Sequence, residues 1–477
     1  MTSIDQNNNF IDTEDDKSCD KDEDTQQEQP QETDDLSDAG GEIVREKGLP
    51  FLLVLLNFFK GLVGAGFLTL PLAFRHAGAW SGLFLLIFIA FLSYYAMSHL
   101  VACAQYHYTR LKIPFLNYGD VAGETCKASF QIVQKHGNLA KSIVNTAIIV
   151  HQFGTCSMYY LFIATNLRDI IAYILGGVAG EWCRNWPWWL MIFPVMVLLN
   201  SVLSMHILSI ICIIGNALLL SSLALTLYIL FGSPGLRIDE VPTALTIHGL
   251  FLAIGTVIVS CLAQSLVLPL ENKLKRPRQM LGPFGILSCG IILSVLIYAC
   301  VGFFGFLAFD KVTDSILKEL PNDILTMLIR LALSLSILAS FLLQMFVIVD
   351  VLWPRIDRMI KLSPVLKMFC QLLFRALMVS ICFLISYSVK DLSRIVSLIG
   401  VTTGTLLAFV FPAMIDLLTF VPLFLEQNQI REAYVRIGQS ILLACIGLTI
   451  MAGGLTANIV NLVNSSGVSP NSTFCIK

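Results

Sequence analysis

Asn57-Phe-Phe-Lys60-Gly61-Leu-Val-Gly64-Ala65-Gly66-Phe-Leu-Thr69-Leu70-Pro71-Leu72 is an apolar stretch interrupted by three glycines and a proline. A second stretch, Ser260-Cys261-Leu262-Ala263-Gln264-Ser265-Leu-Val-Leu268-Pro269-Leu270-Glu271, repeats the pattern, with small residues upstream of another Leu-Pro-Leu. Proline deletes a backbone donor, and small residues remove steric resistance to unwinding. At membrane depth, freed backbone groups are tolerated only where they line a cavity or find a partner. Both stretches therefore read as membrane helices broken partway through.

The surrounding chain is built for lipid. Apolar residues make up 56% of its 477 positions and charged residues only 13%, with mean hydropathy +0.75. That is too little charge to solvate the outside of a water-soluble domain of this size. Between about Pro50 and Val463, eleven apolar runs of roughly 20 residues alternate with short polar or basic breaks, each run long enough to cross a hydrocarbon core of ~30 Å as a helix. They fall near 50–74, 79–104, 140–164, 187–205, 207–231, 248–270, 284–308, 324–352, 371–389, 393–420 and 436–463. Leu, Ile, Val and Phe fill them without strict alternation, which excludes outer-membrane strands. The expected fold is an all-α polytopic membrane protein with eleven transmembrane helices.

Residues 1–48 belong to another regime. Asp12, Glu14, Asp15, Asp16, Asp20, Asp22, Glu23 and Asp24 sit among polar residues, and such a segment cannot offset its ordering entropy by burial. It reads as a disordered cytosolic tail, with docking of a signalling partner as the alternative, and its acidity offers nothing to nucleic acid. Residues 49–463 form the expected membrane domain and 464–477 a lumenal or extracellular tail. Basic residues gather in even-numbered breaks: Arg110, Lys112, Lys127, Lys135 and Lys141, then Lys273, Lys275, Arg276 and Arg278, then Arg355, Arg358, Lys361 and Lys367. The positive-inside bias makes that side the cytosol. The acceptor sites Asn464-Ser-Ser and Asn471-Ser-Thr fall on the opposite side, as glycosylation requires.

Spans 1 and 6, the two broken ones, head two groups of five, with span 11 left over. Such a pair in corresponding halves is the sequence mark of a transporter's substrate site near the bilayer midplane. One unwound half offers N–H groups and the positive end of a helix dipole, which suit a carboxylate; the facing half offers carbonyls, which suit an ammonium or a cation. A zwitterion of amino-acid size satisfies both. The competing reading is that the small residues and prolines serve only close packing and kinks. No Walker loop, H-E-x-x-H, paired C-x-x-C or nucleophile elbow is present, so neither an enzyme nor a nucleotide-driven pump is expected, and no metal or cofactor.

At these residues the chain resembles the proton-coupled amino-acid transporters of the amino-acid and auxin permease superfamily. The resemblance runs from span 1 to the C-terminus. Its markers are Lys60-Gly61-x-x-Gly64-x-Gly66 with Leu70-Pro71-Leu72-Ala73, and Asn117-Tyr118-Gly119-Asp120. In span 3 come Gln152-Phe-Gly154-x-Cys156, Tyr159 and Asn166. Further markers are Val267-Leu-Pro269-Leu-Glu271-Asn272-Lys273-x-Lys275-x-Pro277-Arg278 and Ile395-Val-Ser397-Leu-Ile-Gly400. It implies a five-plus-five inverted-repeat core like that of the bacterial leucine transporter, small neutral amino acids moved with protons, and a plasma-membrane or endolysosomal home. Three positions depart from the family pattern. Asn57 stands where proton-coupled members carry a histidine, and an amide does not titrate in the physiological range. Cys261-Leu262-Ala263-Gln264-Ser265 replaces Phe-Glu-Gly-Ile-Gly, and Asp323 replaces the cysteine that would pair with Cys183.

The leading expectation is thus a secondary transporter working by alternating access. Uncoupled exchange and a nutrient sensor with little transport are its rivals. Gly64, Ala65 and Gly66 are the expected backbone contacts for the substrate carboxylate, faced by Ser260, Cys261, Ala263 and Gln264, with Gln264 narrowing the pocket. Gln152, Cys156 and Tyr159 share one face of span 3, and Ser340 and Gln344 flank the site from span 8. Asn57, Lys60 and His151 are the coupling candidates: Lys60 and His151 are ionisable groups within spans, which default to functional hypotheses. Glu271 is expected in a solvated charged loop, with a gating salt bridge as the alternative, and Asp350 and Asp416 at solvated helix ends. Cys183 and Cys475, both on the expected oxidising side, are candidate disulfide partners.

Overall fold

The computed structural model describes residues 36–39, 42–45, 48–176, 186–201, 205–232, 247–309, 312, 314–359, 363–388 and 391–466. Most of the expected tail, together with Cys183, Asn471 and Cys475, lies outside them. Within the described part of that tail, Arg45 N donates to the Lys275 carbonyl of the membrane domain. Leu36–Ala39 (β1) and Glu42–Arg45 (β2) pair antiparallel, and Leu49 forms a parallel bridge with Leu274.

Helices follow the apolar runs, because a backbone surrounded by lipid must satisfy its own N–H and C=O groups. Span 1 is α1 (Phe51–Leu62), a 3-10 turn (Ala65–Thr69) and α2 (Leu70–Ala77); span 2 is α3 (Ala79–Leu111). The next link holds α4 (Tyr118–Ala128) and α5 (Gln131–Gln134). Spans 3, 4 and 5 are α6 (Gly137–Ile174), α7 (Trp186–Asn200) and α8 (Met205–Gly232); span 6 is α9 (Ile247–Cys261) followed by α10 (Gln264–Asn272). Span 7 runs through α11 (Ile286–Ala299), a π turn (Cys300–Phe304) and α12 (Gly305–Ala308), and α13 (Ile316–Glu319) lies in the link after it. Spans 8 and 9 are α14 (Ile324–Met359) and α15 (Pro364–Ser388). Span 10 joins α16 (Leu392–Ile399), two π turns (Gly400–Gly404 and Leu406–Val410) and α17 (Phe411–Glu426), and α18 (Ile430–Ser466) is span 11. Among the described residues, nine helices are long and apolar enough to cross a membrane, and the bent pair of span 1 makes a tenth. The helix at span 4, α7, has 15 residues and reaches about 22 Å, short of a full hydrocarbon core.

The packing repeats at an interval of five spans. α2 packs on α9, α3 on α11, α6 on α14 and α7 on α15, so spans 1 to 4 each touch the span five places later. The cross-contacts repeat too: span 1 meets span 7 (α1 with α11) as span 6 meets span 2 (α9 with α3). Likewise span 5 meets span 8 (α8 with α14) as span 10 meets span 3 (α16 with α6). An exchange of two five-span units accounts for this pattern, and five being odd, the second unit runs inverted through the membrane. α18 lies outside the pair, against α9 and α17. Large apolar side chains such as Phe84, Leu198, Tyr228 and Leu442 point outward from the bundle, where lipid solvates them.

Candidate substrate site

The first break begins where Val63 leaves the helical region at φ −79°, ψ 76° and Gly64 becomes extended at φ −96°, ψ −165°. The 3-10 turn follows, tied by Thr69 Oγ1 donating to the Gly66 carbonyl at 2.8 Å, and Pro71 sits in the first turn of α2, where its missing N–H costs nothing. The two halves meet at 42°. The second break is two residues, Leu262 and Ala263, with Ala263 at φ −130°, ψ 10°. Pro269 lies inside α10, so the small residues mark this break and the proline does not.

The breaks abut. A Cβ on Gly66 would meet Ser260 Oγ at 3.1 Å, and one on Gly64 would meet the Tyr159 hydroxyl at 3.1 Å. Those glycines are what let spans 3 and 6 approach the unwound backbone so closely. Ala65 opens the 3-10 turn between them. The Ser260 carbonyl accepts from Tyr298 Oη at 2.9 Å, and Ser260 Oγ donates to the Thr256 carbonyl at 3.0 Å. Cys261 and Ala263 are buried beside it. Gln264 is fully buried: its Oε1 accepts from the Ala263 N–H at 3.1 Å, and its Nε2 reaches the Ala408 carbonyl at 3.4 Å. The donor freed by the second break is thereby filled by the chain's own amide.

Tyr159 also lies against the Gln344 side chain. The Oε1 atoms of Gln152 and Gln344 are buried without a hydrogen-bond partner, an arrangement that a protein maintains only at a cost of about 1–3 kcal/mol each. Cys156 faces Cys382 on α15 instead of the breaks. Ser340 Oγ donates to the Ser336 carbonyl at 3.3 Å. Lys60 Nζ donates to the Cys212 carbonyl of α8 at 3.2 Å, so its charge is held by a backbone dipole across spans 1 and 5. His151 sits between Thr403 Oγ1 at 3.3 Å and Thr155 Oγ1 at 3.4 Å, facing span 10. Asn57 is half-buried on α1, and Asn464 falls in the last turns of α18.

Charged clasps close both ends. On one face, Arg45, Gly48 and Leu49 form a strap: Arg45 N donates to the Lys275 carbonyl at 2.9 Å, Leu49 N to Lys273 at 2.7 Å, and Lys275 N returns a bond to Leu49 at 3.0 Å. The Arg45 guanidinium bonds the Glu271 carbonyl and, at 3.0 Å, that of Pro114; it also stands 3.7 Å from Glu271 Oε2. On the other face, α13 packs on the 3-10 turn of span 1. Arg330, 2% exposed, donates to Asp169 Oδ2 at 2.5 Å and to the Leu317 carbonyl at 2.6 Å. Asp314 accepts from Lys318 at 2.7 Å and from Ser393 N at 2.8 Å, which ties the same link to span 10.

Two expectations fail here. Glu271 is fully buried, because Tyr108 Oη at 2.9 Å, Gln105 Nε2 at 3.4 Å and the strap enclose it. Asp416 is 3% exposed: His99 Nδ1 at 2.9 Å, Arg436 Nη2 at 2.5 Å and Ser440 Oγ at 3.0 Å surround it, fastening span 11 to spans 2 and 10. The side chain of Asp350 lies outside the described residues. Arg330 and Asp169 were missed by the sequence reading, although a charge inside an apolar run was the signal available for Arg330.

A family profile described as "Transmembrane amino acid transporter protein" matches residues 50–460. The chain belongs to that family. Within reach of it, the "Probable amino acid transporter skat-1" of Caenorhabditis elegans is 26% identical over 86% of this chain and 90% of its own length. The Drosophila melanogaster "Proton-coupled amino acid transporter-like protein pathetic" is 27% identical over 76% of each chain. Among solved structures, the nucleobase-cation-symport-1 transporter Mhp1, in a closed conformation with bromovinylhydantoin bound, aligns at TM-score 0.49 and 10% identity over 90% of this chain and 95% of its own. Transmembrane amino acid transporters move substrates across a membrane, and the helical, multi-pass architecture here is that of the family.

Proposed function

We propose that this chain is a secondary transporter of small neutral amino acids that works by alternating access, with protons as the coupling ion. The observation that carries the reading is the meeting of two helix breaks beside Tyr159, whose hydroxyl lies against Gln344, a side chain with a buried amide oxygen that has no hydrogen-bond donor among the described residues. A substrate ammonium supplies N–H donors, and the backbone of Ala65 and Gly66, at the start of the 3-10 turn, supplies donors for a carboxylate, the Gly64 N–H being bonded to the Leu62 carbonyl at 2.8 Å. Tyr159 and Ser260 stand close against the glycines of the first break, and so tight a setting favours small side chains. The Arg45–Glu271 strap and the Arg330–Asp169 lid are the natural pair of gates, opened in turn. A relative whose name includes "proton-coupled" favours symport over uncoupled exchange. In this reading the N-terminus is cytosolic, the C-terminus with Asn464 and Asn471 lumenal or extracellular, and the membrane plasma or endolysosomal.

The test is reconstitution in liposomes with a panel of labelled amino acids, with and without an imposed pH gradient. Saturable uptake of small neutral amino acids, with exchange of internal for external label, is the expected result. Thermal stabilisation by an amino acid with neither uptake nor exchange would overturn it.

A further inference from the structure

A proton-coupled cycle needs a titratable group, and neither Asn57 nor Leu262 is one. Among the described residues, four carboxylates are buried: Asp169, Glu271, Asp314 and Asp416. In three of them both oxygens accept hydrogen bonds. Asp169 takes Arg168 and Arg330, Asp314 takes Ser393 N and Lys318, and Asp416 takes His99, Arg436 and Ser440. Glu271 differs. Its Oε1 accepts from Tyr108 and Gln105, while its Oε2 has no hydrogen-bond donor and only the Arg45 guanidinium 3.7 Å away. We propose that Glu271 is the proton-binding group of the transport cycle and that its charge state works the Arg45 strap. The proposal rests on the transport reading above.

Its position suits the role. Glu271 ends α10, the half-helix whose other end is the second break, about 10 Å from Gln264 along the helix. The groups facing it come from several elements. α3 contributes Tyr108 and Gln105, the strap contributes Arg45, and the 3-10 turn Pro277–Met280 contributes the Pro277 carbonyl, which holds Gln105 Nε2 at 3.0 Å, and the charged residue Arg278. Lys273 and Lys275 follow on its own link. α1 also packs on α10, but its single charged residue, Lys60, is bonded to α8; the π turn Leu406–Val410 has no titratable residue.

Ionised Glu271 compensates the Arg45 guanidinium. A proton taken up with the substrate binds at Oε2, the oxygen that no donor fills. The neutral acid then removes the counter-charge of a partly buried guanidinium, which keeps only its bonds to the carbonyls of Glu271, Leu274 and Pro114 and is better solvated by water. Arg45, Gly48 and Leu49 leave together, uncovering the end of α10. Water on the strap face takes the proton, and the restored carboxylate recaptures Arg45. One proton crosses for each opening.

Wild type, Glu271→Gln and Arg45→Gln in proteoliposomes separate the outcomes. Glu271→Gln mimics the protonated acid: amino-acid exchange should persist, while the ratio of uptake with and without a pH gradient should fall to about 1. Arg45→Gln keeps the carboxyl but removes the cation that favours its charged form, so the pH midpoint of uptake should move about one unit or more to the alkaline side. A Glu271→Gln protein that keeps full gradient stimulation overturns the proposal, as does an Arg45→Gln midpoint that does not move, whether or not Glu271→Gln folds. A wild type that exchanges amino acids but ignores the gradient overturns the latch and leaves the transport reading standing. A wild type that moves none of them overturns both.

Discussion

The two broken spans answer one sequence pattern in two ways. In span 1 the helix stops for a residue pair and a 3-10 turn, and its halves diverge by 42°. In span 6 the interruption is two residues long, α9 and α10 continue as one spanning segment, and Gln264 folds back onto the freed N–H of Ala263. Glycine at 64 and 66 leaves the first break bare, whereas a long amide at 264 fills the second. In the proposed reading the substrate's main backbone grip belongs to the first break, and the second acts as a wall whose shape Gln264 sets.

The largest effect should come from crowding the bare break. Leucine at Gly66 would start with its Cβ 3.1 Å from Ser260 Oγ and 3.4 Å from Val259 Cγ1, so the rest of the side chain would push spans 1 and 6 apart. Gly66→Leu should lower uptake about 100-fold, the scale of loss from misplacing a bound substrate by an ångström. Gly438→Leu, at a position with open space around it, should leave uptake unchanged. Equal amounts of monodisperse protein with equal uptake would show that the first break does not hold the substrate.

Next in size is the lid that lies on that same break. Arg330→Ala strips Asp169 of one of its two guanidinium partners and frees the Leu317 carbonyl of α13. Removing one partner of a buried pair costs about 3–5 kcal/mol, so thermal unfolding should move to clearly lower temperature. Arg330→Lys should recover only part of this, since an ammonium cannot reproduce the two-pronged bonding. An unchanged melting temperature would mean that α13 is held by something else.

At the plugged break the expected change is in selectivity. Gln264→Gly removes the cap on the Ala263 N–H, worth about 1 kcal/mol of stability, and empties the space of a long side chain. Larger neutral amino acids should then compete with small ones for uptake. A competition panel identical to wild type would make Gln264 a purely structural plug.

How far these regions were readable depends on the range of the interactions. The spans were legible because lipid forces every backbone group into a local helical bond, and a local rule leaves a local pattern. The first break was legible in Gly64, Gly66 and Pro71. The second was located by its small residues, while Pro269, equally prominent in the sequence, sits within α10 and marks no break. The clasps were hidden for the opposite reason. Arg330 and Asp169 lie 161 residues apart and Arg45 and Glu271 226 apart, so no periodicity connects them. Lys60 was conspicuous as a charge in an apolar span, yet its partner is the backbone carbonyl of Cys212, and carbonyls carry no sequence signature.

The smallest effect separates a ligand-binding role for the amide oxygens from a packing role. Gln152 is 2% exposed, and its Oε1 has no hydrogen-bond donor among the described residues. Gln152→Met keeps similar volume but removes the unmet acceptor, so the empty protein should gain up to about 1 kcal/mol in stability. The same change removes an acceptor that a bound ammonium would use, so the thermal shift produced by saturating amino acid should shrink. The two effects have opposite signs for a binding residue. A side chain that serves only packing gives a change in the empty protein and an undiminished ligand shift, because the substrate then gains nothing from the oxygen that methionine lacks.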